Sequence, residues 1–310
     1  MKIGIVFPGQ ASQYVGMGKE IIEENKKYIE ILKIGERITN LPLIEKIFTG
    51  PIEDLTRTLI CQPSVFGVSL LLWEYFKEKT DITPFSFAGH SLGEYTALCA
   101  TEVFSIEEGF YLVKRRAEIM DEISQKINGS LLAIIGINIK DVEKIIKNYE
   151  IEISNINSYN QIVVGGKKEE LEKLAIYLKE KKIKNVFLKV SGPFHTKYMK
   201  EAADIFKEDV EKVDFKNPKF PVYMNYSGKK TMDKEEIKNG ILKQLYSPVR
   251  WVETIENMVE DGVNCFVEIG PKNVLKKLIE SINPQIPSFN IENQQTLGNF
   301  YIFFKGGKNV

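Results

Sequence analysis

Gly89-His90-Ser91-Leu92-Gly93 is a complete G-x-S-x-G, the pattern that places a serine on a sharp strand-to-helix turn. An apolar run at residues 85–88 precedes it and a helical stretch, residues 94–100, follows it. Glycines two before and two after the serine let neighbouring backbone pass close, so the hydroxyl is held out as a nucleophile. The helix N-terminus adds a field that favours developing negative charge. A serine needs a base, and the chain has only two histidines. His90 lies inside the turn and is badly placed to face its neighbour's hydroxyl. His195, just after an apolar segment at residues 185–190, is the candidate general base. Chain order, serine before histidine, is that of hydrolase-type folds.

Two further features complete a candidate acyl-transfer site. The loop Pro8-Gly9-Gln10 follows the first apolar run, so the Gln10 N–H and the N–H of Leu92 can form an oxyanion hole. Arg116 sits in a basic stretch, Lys114-Arg115-Arg116, on the second helix after the serine. Lys114 and Arg115 read as a solvated face. Arg116 is spaced to point into the site, where a planar guanidinium can hold a substrate carboxylate by two hydrogen bonds.

The elements that must position these residues alternate between strand and helix. Residues 2–7 read as a buried strand, 17–38 and 64–78 as helices, 85–100 as strand, turn and helix, and 105–122 as another helix. This favours a mostly parallel α/β sheet. From about residue 126 the order becomes βαββαβ: strands at 131–137, 151–158, 161–166 and 185–190, and helices at 141–149 and 169–182. That is the order of a ferredoxin-like unit. The expected organisation is a hydrolase-like parallel-sheet core, residues 1–125 and 191–310, with a ferredoxin-like insert at 126–190. The later core reads as a strand over 220–227, helices at 234–246, 250–261 and 273–281, and strands at 265–270 and 288–291. The segment 299–310 has no legible role.

Composition excludes several classes. With 42 basic and 42 acidic residues in 310, net charge is zero and nothing points to nucleic acid. Cys61, Cys99 and Cys265 are odd in number and form no C-x-x-C, which argues against disulfides and a zinc site and fits a reducing compartment. The N-terminal apolar run is too short for a signal sequence, and no run of roughly 18 apolar residues stands out as a membrane span. A cytoplasmic enzyme without cofactor, metal or membrane, and monomeric by default, is the expectation.

Eight segments in register carry a resemblance: residues 9–18, 62–64 and 89–98, the Arg116 helix, and residues 157–166, 191–196, 244–251 and 268–271. Together they resemble the malonyl-CoA:acyl carrier protein transacylases of fatty acid synthesis, and are similar to the acyltransferase domains of polyketide synthases. The resemblance spans about residues 3–290. It implies a malonyl group passed from coenzyme A to the phosphopantetheine thiol of acyl carrier protein through Ser91, with His195 as base and Arg116 on the malonyl carboxylate. It also implies Gln10 and Leu92 as oxyanion donors, Gln62 and Asn157 along the pocket, and Phe194 as a residue of malonyl selectors. Gln244 falls where the family orients the histidine, so a neutral acceptor would replace the triad's acid. Three positions depart from the family: Ala11 and Ala117 stand where glycines are usual, and Tyr159-Asn160 replaces Pro-Gly.

Two rival readings stay open in the sequence. An esterase or thioesterase shares the turn and the order but would carry an HGGG-like oxyanion loop, which is absent. A non-catalytic binding module is disfavoured by the intact Ser91, His195 and Arg116. Lys179, Lys181, Lys182 and Lys184 form a local basic run, read first as a solvated helix end and second as a carrier-docking surface.

Overall fold

The computed structural model describes residues 1–306 except Ser191. Ten strands form two sheets: β1 (Ile3–Phe7), β2 (Ser86–Gly89), β3 (Gly129–Ile135), β4 (Ile151–Ser158), β5 (Gln161–Lys167), β6 (Lys184–Phe187), β7 (Val222–Tyr223), β8 (Lys230–Thr231), β9 (Cys265–Ile269) and β10 (Ser288–Ile291). The larger sheet has the order β10-β9-β1-β2-β7-β8 and is parallel except at β8. Its central strands, β1, β2 and β9, are buried at every residue, because helices cover both faces. The smaller sheet is antiparallel, order β4-β5-β3-β6, and is drawn wholly from the chain between Gly129 and Phe187. Its two helices are Ile139–Ile146 and Lys168–Glu180.

The central helix Thr58–Lys79 is long and apolar enough to cross a bilayer by length and composition alone. Most of it is buried inside the fold, as expected of a helix packed on several sides. Its aromatic side chains knit the core, with Trp73 edge-on to Phe7 and Phe87. The helix Ile106–Ile127 starts with a capping box: Ser105 and Glu108 each satisfy the other's backbone N–H.

Several elements differ from the sequence reading for local reasons. The segment expected as helix over 17–38 is broken at Asn25 into Lys19–Glu24 and Ile29–Thr39, with a 3₁₀ turn between. The strand expected over 220–227 is only Val222–Tyr223. Beyond it Met224–Gly228 closes a turn, in which the Gly228 N–H donates to the Met224 carbonyl. The strand expected over 185–190 ends at Phe187. A helix at Lys200–Glu211 was not anticipated, though Ala202, Ala203, Phe206 and Val210 give it an apolar face. The aromatic tail forms the helix Gln294–Gly306, whose Phe300 is buried against Phe76 and Phe289; residues 307–310 lie outside the described residues.

The smaller sheet is docked to the larger body through its β4 edge. Val249 donates its N–H to the Ser154 carbonyl and accepts from the Ile156 N–H, both at 2.9 Å. This contact brings Asn157, one residue further along β4, over the end of β2.

Candidate active site

The turn between β2 and the helix Leu92–Ala100 is as tight as its glycines require. A Cβ on Gly93 would lie 2.0 Å from the Phe7 carbonyl oxygen, and one on Gly89 would lie 1.9 Å from the Gly93 oxygen. Ser91 between them has φ 51° and ψ −105°, a conformation that a side-chain-bearing residue adopts only when its surroundings force it. Its Oγ is 2.8 Å from His195 Nε2.

His195 is almost fully buried and is placed by the end of the helix Lys234–Tyr246. The last-turn carbonyls of a helix have no intrahelical partner. Two of them take the N–H groups of His195: Leu245 from the backbone at 3.1 Å, and Gln244 from Nδ1 at 2.7 Å. A carbonyl can only accept, so Nδ1 carries the proton and Nε2 faces the serine as an acceptor. Gln244 therefore orients the histidine with its main chain. Its side chain does something else: Nε2 donates to the Ser91 carbonyl at 2.9 Å and Oε1 accepts from Arg116 at 3.0 Å. Burial, then the nearby Arg116 charge, pushes the His195 pKa down to about 3.

Arg116 lies on the buried face of its helix, with Val113 and Met120, whereas Arg115 turns outward to Glu118 and Asp209. The Arg116 guanidinium donates to Gln62 Oε1 at 2.7 Å, Gln244 Oε1 at 3.0 Å and Ser91 Oγ at 3.1 Å, and lies over the Tyr95 ring. Its Nε has no partner. No carboxylate forms an ion pair with it among the described residues; Glu94, buried below, reaches it only through space. A cation held by neutral oxygens in a dry site is normally costly by several kcal/mol unless an anion joins it.

These groups line one cleft of about 740 Å³ between the two sheets. Gln10, Gln62, Ser91, Leu92, Arg116, Asn157, Phe194 and His195 all border it, so the sequence-identified residues come together; Gln244 lies just beneath. The N–H groups of Gln10 and Leu92 have no acceptor among the described residues. Asn157 Oδ1 accepts from Nε2 of His90, whose ring packs against Trp251, so His90 faces away from the base. Ala11 has φ 86°. The loop holds that strained residue from both sides: Gln13 Oε1 accepts its N–H at 2.8 Å, and Lys272 donates to its carbonyl at 3.3 Å. Lys179, Lys181, Lys182 and Lys184 are not among the cleft's lining.

Two residues beneath the elbow escaped the sequence reading. Asn225 is fully buried, accepts the Ser91 N–H on Oδ1 at 2.7 Å and donates from Nδ2 to the Gly89 carbonyl at 2.6 Å. Glu94, in the first turn after the serine, accepts the Asn225 N–H, and burial pushes its pKa up to about 8. Only the position of Glu94 at the start of the helix was visible in the sequence; nothing there joined it to a residue 131 positions away.

A strained serine on the elbow after a strand of a parallel sheet, hydrogen-bonded to a histidine, defines the nucleophile-elbow class of α/β proteins. The chain belongs to the acyl transferase domain family, whose model matches residues 5–299. It is 35% identical over 302 residues to the malonyl CoA-acyl carrier protein transacylase of Bacillus subtilis (strain 168), covering 96% of this chain and 95% of that protein. Among solved structures it is similar to the malonyl-CoA:acyl carrier protein transacylase of Xanthomonas oryzae pv. oryzae, with TM-score 0.93, 29% identity and coverage of 97% and 98%. It is likewise similar to a malonyl-transacylase in complex with a type II PKS acyl-carrier protein, with TM-score 0.92, 31% identity and coverage of 96% and 98%.

Proposed function

We propose that the protein transfers a malonyl group from coenzyme A to the phosphopantetheine thiol of an acyl carrier protein, through an ester on Ser91. The observation that carries this reading is the buried Arg116 without a carboxylate partner, one nitrogen of which lies 3.1 Å from Ser91 Oγ. An acyl group bearing its own carboxylate supplies the missing anion within reach of the nucleophile, by a charge-assisted and potentially bidentate pair.

Ser91 attacks the thioester carbonyl as its proton passes to Nε2 of His195, and the Gln244 carbonyl holds the resulting imidazolium through Nδ1. The oxyanion is bound by the Gln10 and Leu92 N–H groups. The proton then goes to the departing coenzyme A thiolate as the C–S bond breaks. In the second half the carrier thiol gives its proton to His195 and attacks the ester, and Ser91 leaves and is reprotonated. One thioester replaces another, so no cofactor or net redox change is needed. The names of the relatives, and the neighbour's complex with a carrier protein, support the acyl group and the acceptor.

The test is acyl selectivity. Arg116→Ala should lower acylation by malonyl-CoA by about 10²-fold or more while leaving acetyl-CoA acylation within about tenfold of wild type, since a buried charge-assisted pair is worth roughly 3 kcal/mol. An unchanged malonyl-to-acetyl ratio would remove the arginine from its assigned role.

A further inference from the structure

The conformation of Ser91 demands an explanation beyond its glycines. With φ at 51° and ψ at −105°, its peptide N–H cannot join the helix that follows and would be stranded in a buried turn. Asn225 takes it. This residue sits in the turn after β7, where the strand stops at Tyr223 and the chain folds back through Gly228. All its polar groups are used. The N–H goes to Glu94, the carbonyl accepts from the Arg250 N–H at 3.0 Å, Nδ2 donates to Gly89, and Oδ1 accepts from Ser91 and, at 3.4 Å, from Gln244 Nε2. One rigid carboxamide thus spans the two peptides that flank His90. It does not border the acyl cleft.

We propose that Asn225 is a positioning residue for acyl transfer: its carboxamide, fixed between the Gly89 carbonyl and the Ser91 N–H, sets the rotation of the elbow and so aims Ser91 Oγ at His195 Nε2. The inference rests on the reading of Ser91 as nucleophile. Three elements meet at this carboxamide: β2 through Gly89, the elbow through Ser91, and the helix Lys234–Tyr246 through Gln244. The last also carries the carbonyl that orients His195, so nucleophile and base are referenced to one buried point. The acyl-binding groups, Arg116 and Gln62, make no hydrogen bond to this carboxamide; Arg116 reaches it through Gln244 and through the Ser91 hydroxyl, and Gln62 through Arg116. Loss of the carboxamide should therefore affect the chemical step and spare binding, which general loss of structure would not do.

The test separates rate from affinity. Single-turnover acylation by malonyl-CoA is measured for wild type, Asn225→Ala and the near-isosteric Asn225→Asp, which sets a carboxylate oxygen against the Gly89 carbonyl. Malonyl-CoA affinity is measured by calorimetry for the same variants in a Ser91→Ala background. Acylation should fall about 10²-fold, the scale expected for a small misplacement of reacting groups, with Kd within about threefold of the parent. A fall of less than about tenfold in a folded variant, or a fall matched by an equal loss of affinity, overturns the proposal. If Asn225→Ala does not fold, Asn225→Asp carries the same criteria. If wild type itself takes no acyl group on Ser91, the nucleophile reading has failed and the inference falls with it. If wild type is acylated and both variants match it, only the role of Asn225 is lost.

Discussion

His195 is neutral over the whole range in which the enzyme would be assayed. Its folded-state pKa, pushed down to about 3, lies well below the ordinary imidazole value near 6.5, because burial and the Arg116 charge both disfavour the protonated ring. As the proposed base, His195 would need no deprotonation on going from pH 5 to pH 8. The pH profile of kcat/KM for malonyl-CoA, which reports free-enzyme groups, should accordingly show no acid inflection near 6.5. Stopped-flow acylation at constant ionic strength checks this. A tenfold fall per pH unit below 6.5 would mean that the imidazole titrates normally and that the buried neutral site is wrong. That Ser91, His195, Arg116 and Gln10 belong to one candidate site was legible in the sequence, because each sits in a short pattern with a chemical reason, and all four border the cleft. The part Gln244 plays was only half legible. The sequence marks the position, but that its carbonyl holds the histidine while its carboxamide ties Arg116 to Ser91 depends on where the helix ends. Asn225 was not legible at all, since a buried asparagine in a turn carries no local signal of what it touches.

At the scale of the element, the elbow works because β1, β2 and the helix Leu92–Ala100 approach more closely than side chains allow. Gly93 is the contact point: a Cβ there would run into the Phe7 and Pro8 carbonyls, backbone atoms that cannot swing aside. Gly93→Ala should therefore destabilise the fold by about 2 kcal/mol or more, at the upper end of overpacking costs, and should depress acylation with it. Denaturant midpoints together with single-turnover rates measure both. A variant as stable and as active as wild type would show that the turn relaxes without cost. The elements themselves were largely visible in hydrophobic periodicity. The strands β1, β2 and β9 are apolar runs between turn signals, and the alternation of β3, β4 and β5 with two amphipathic helices gives the ferredoxin-like order. Where the reading overran, as at 17–38 and 220–227, a local hydrogen-bonded turn ended the element before its apolar pattern did. The short strand β8 has too few residues to show any period.

For the molecule as a whole, two sheets of different kind close on one cleft, and the contact of β4 with Val249 fixes their relation. Two of the buried carboxyl groups, Glu94 and Glu268, each have a pKa pushed up to about 8, burial being the largest cause in both. A raised carboxyl pKa favours the folded state while the group is protonated. That contribution is complete below the unfolded value of roughly 4.3 and is lost as pH climbs towards 8. His195 and His90, both depressed by burial, act in the opposite sense, losing stability as pH falls below about 6.5. The two effects oppose each other below about pH 6.5, so unfolding free energy should decline most steeply from pH 6.5 to 8, where the carboxyl contribution acts alone. Urea melts across that range test it. Glu94→Gln should shrink the alkaline decline, and a variant with the wild-type slope would show that the group is ionised throughout.

The proposed reaction turns on a covalent ester on Ser91 formed from a carboxylate-bearing acyl donor. The most direct measurement is intact mass after brief mixing with malonyl-CoA, with Ser91→Ala alongside. The wild type alone should gain one malonyl group, discharged on adding the carrier protein with its phosphopantetheine arm. Rapid release of free malonate without an adduct, or an adduct that persists in Ser91→Ala, would contradict it.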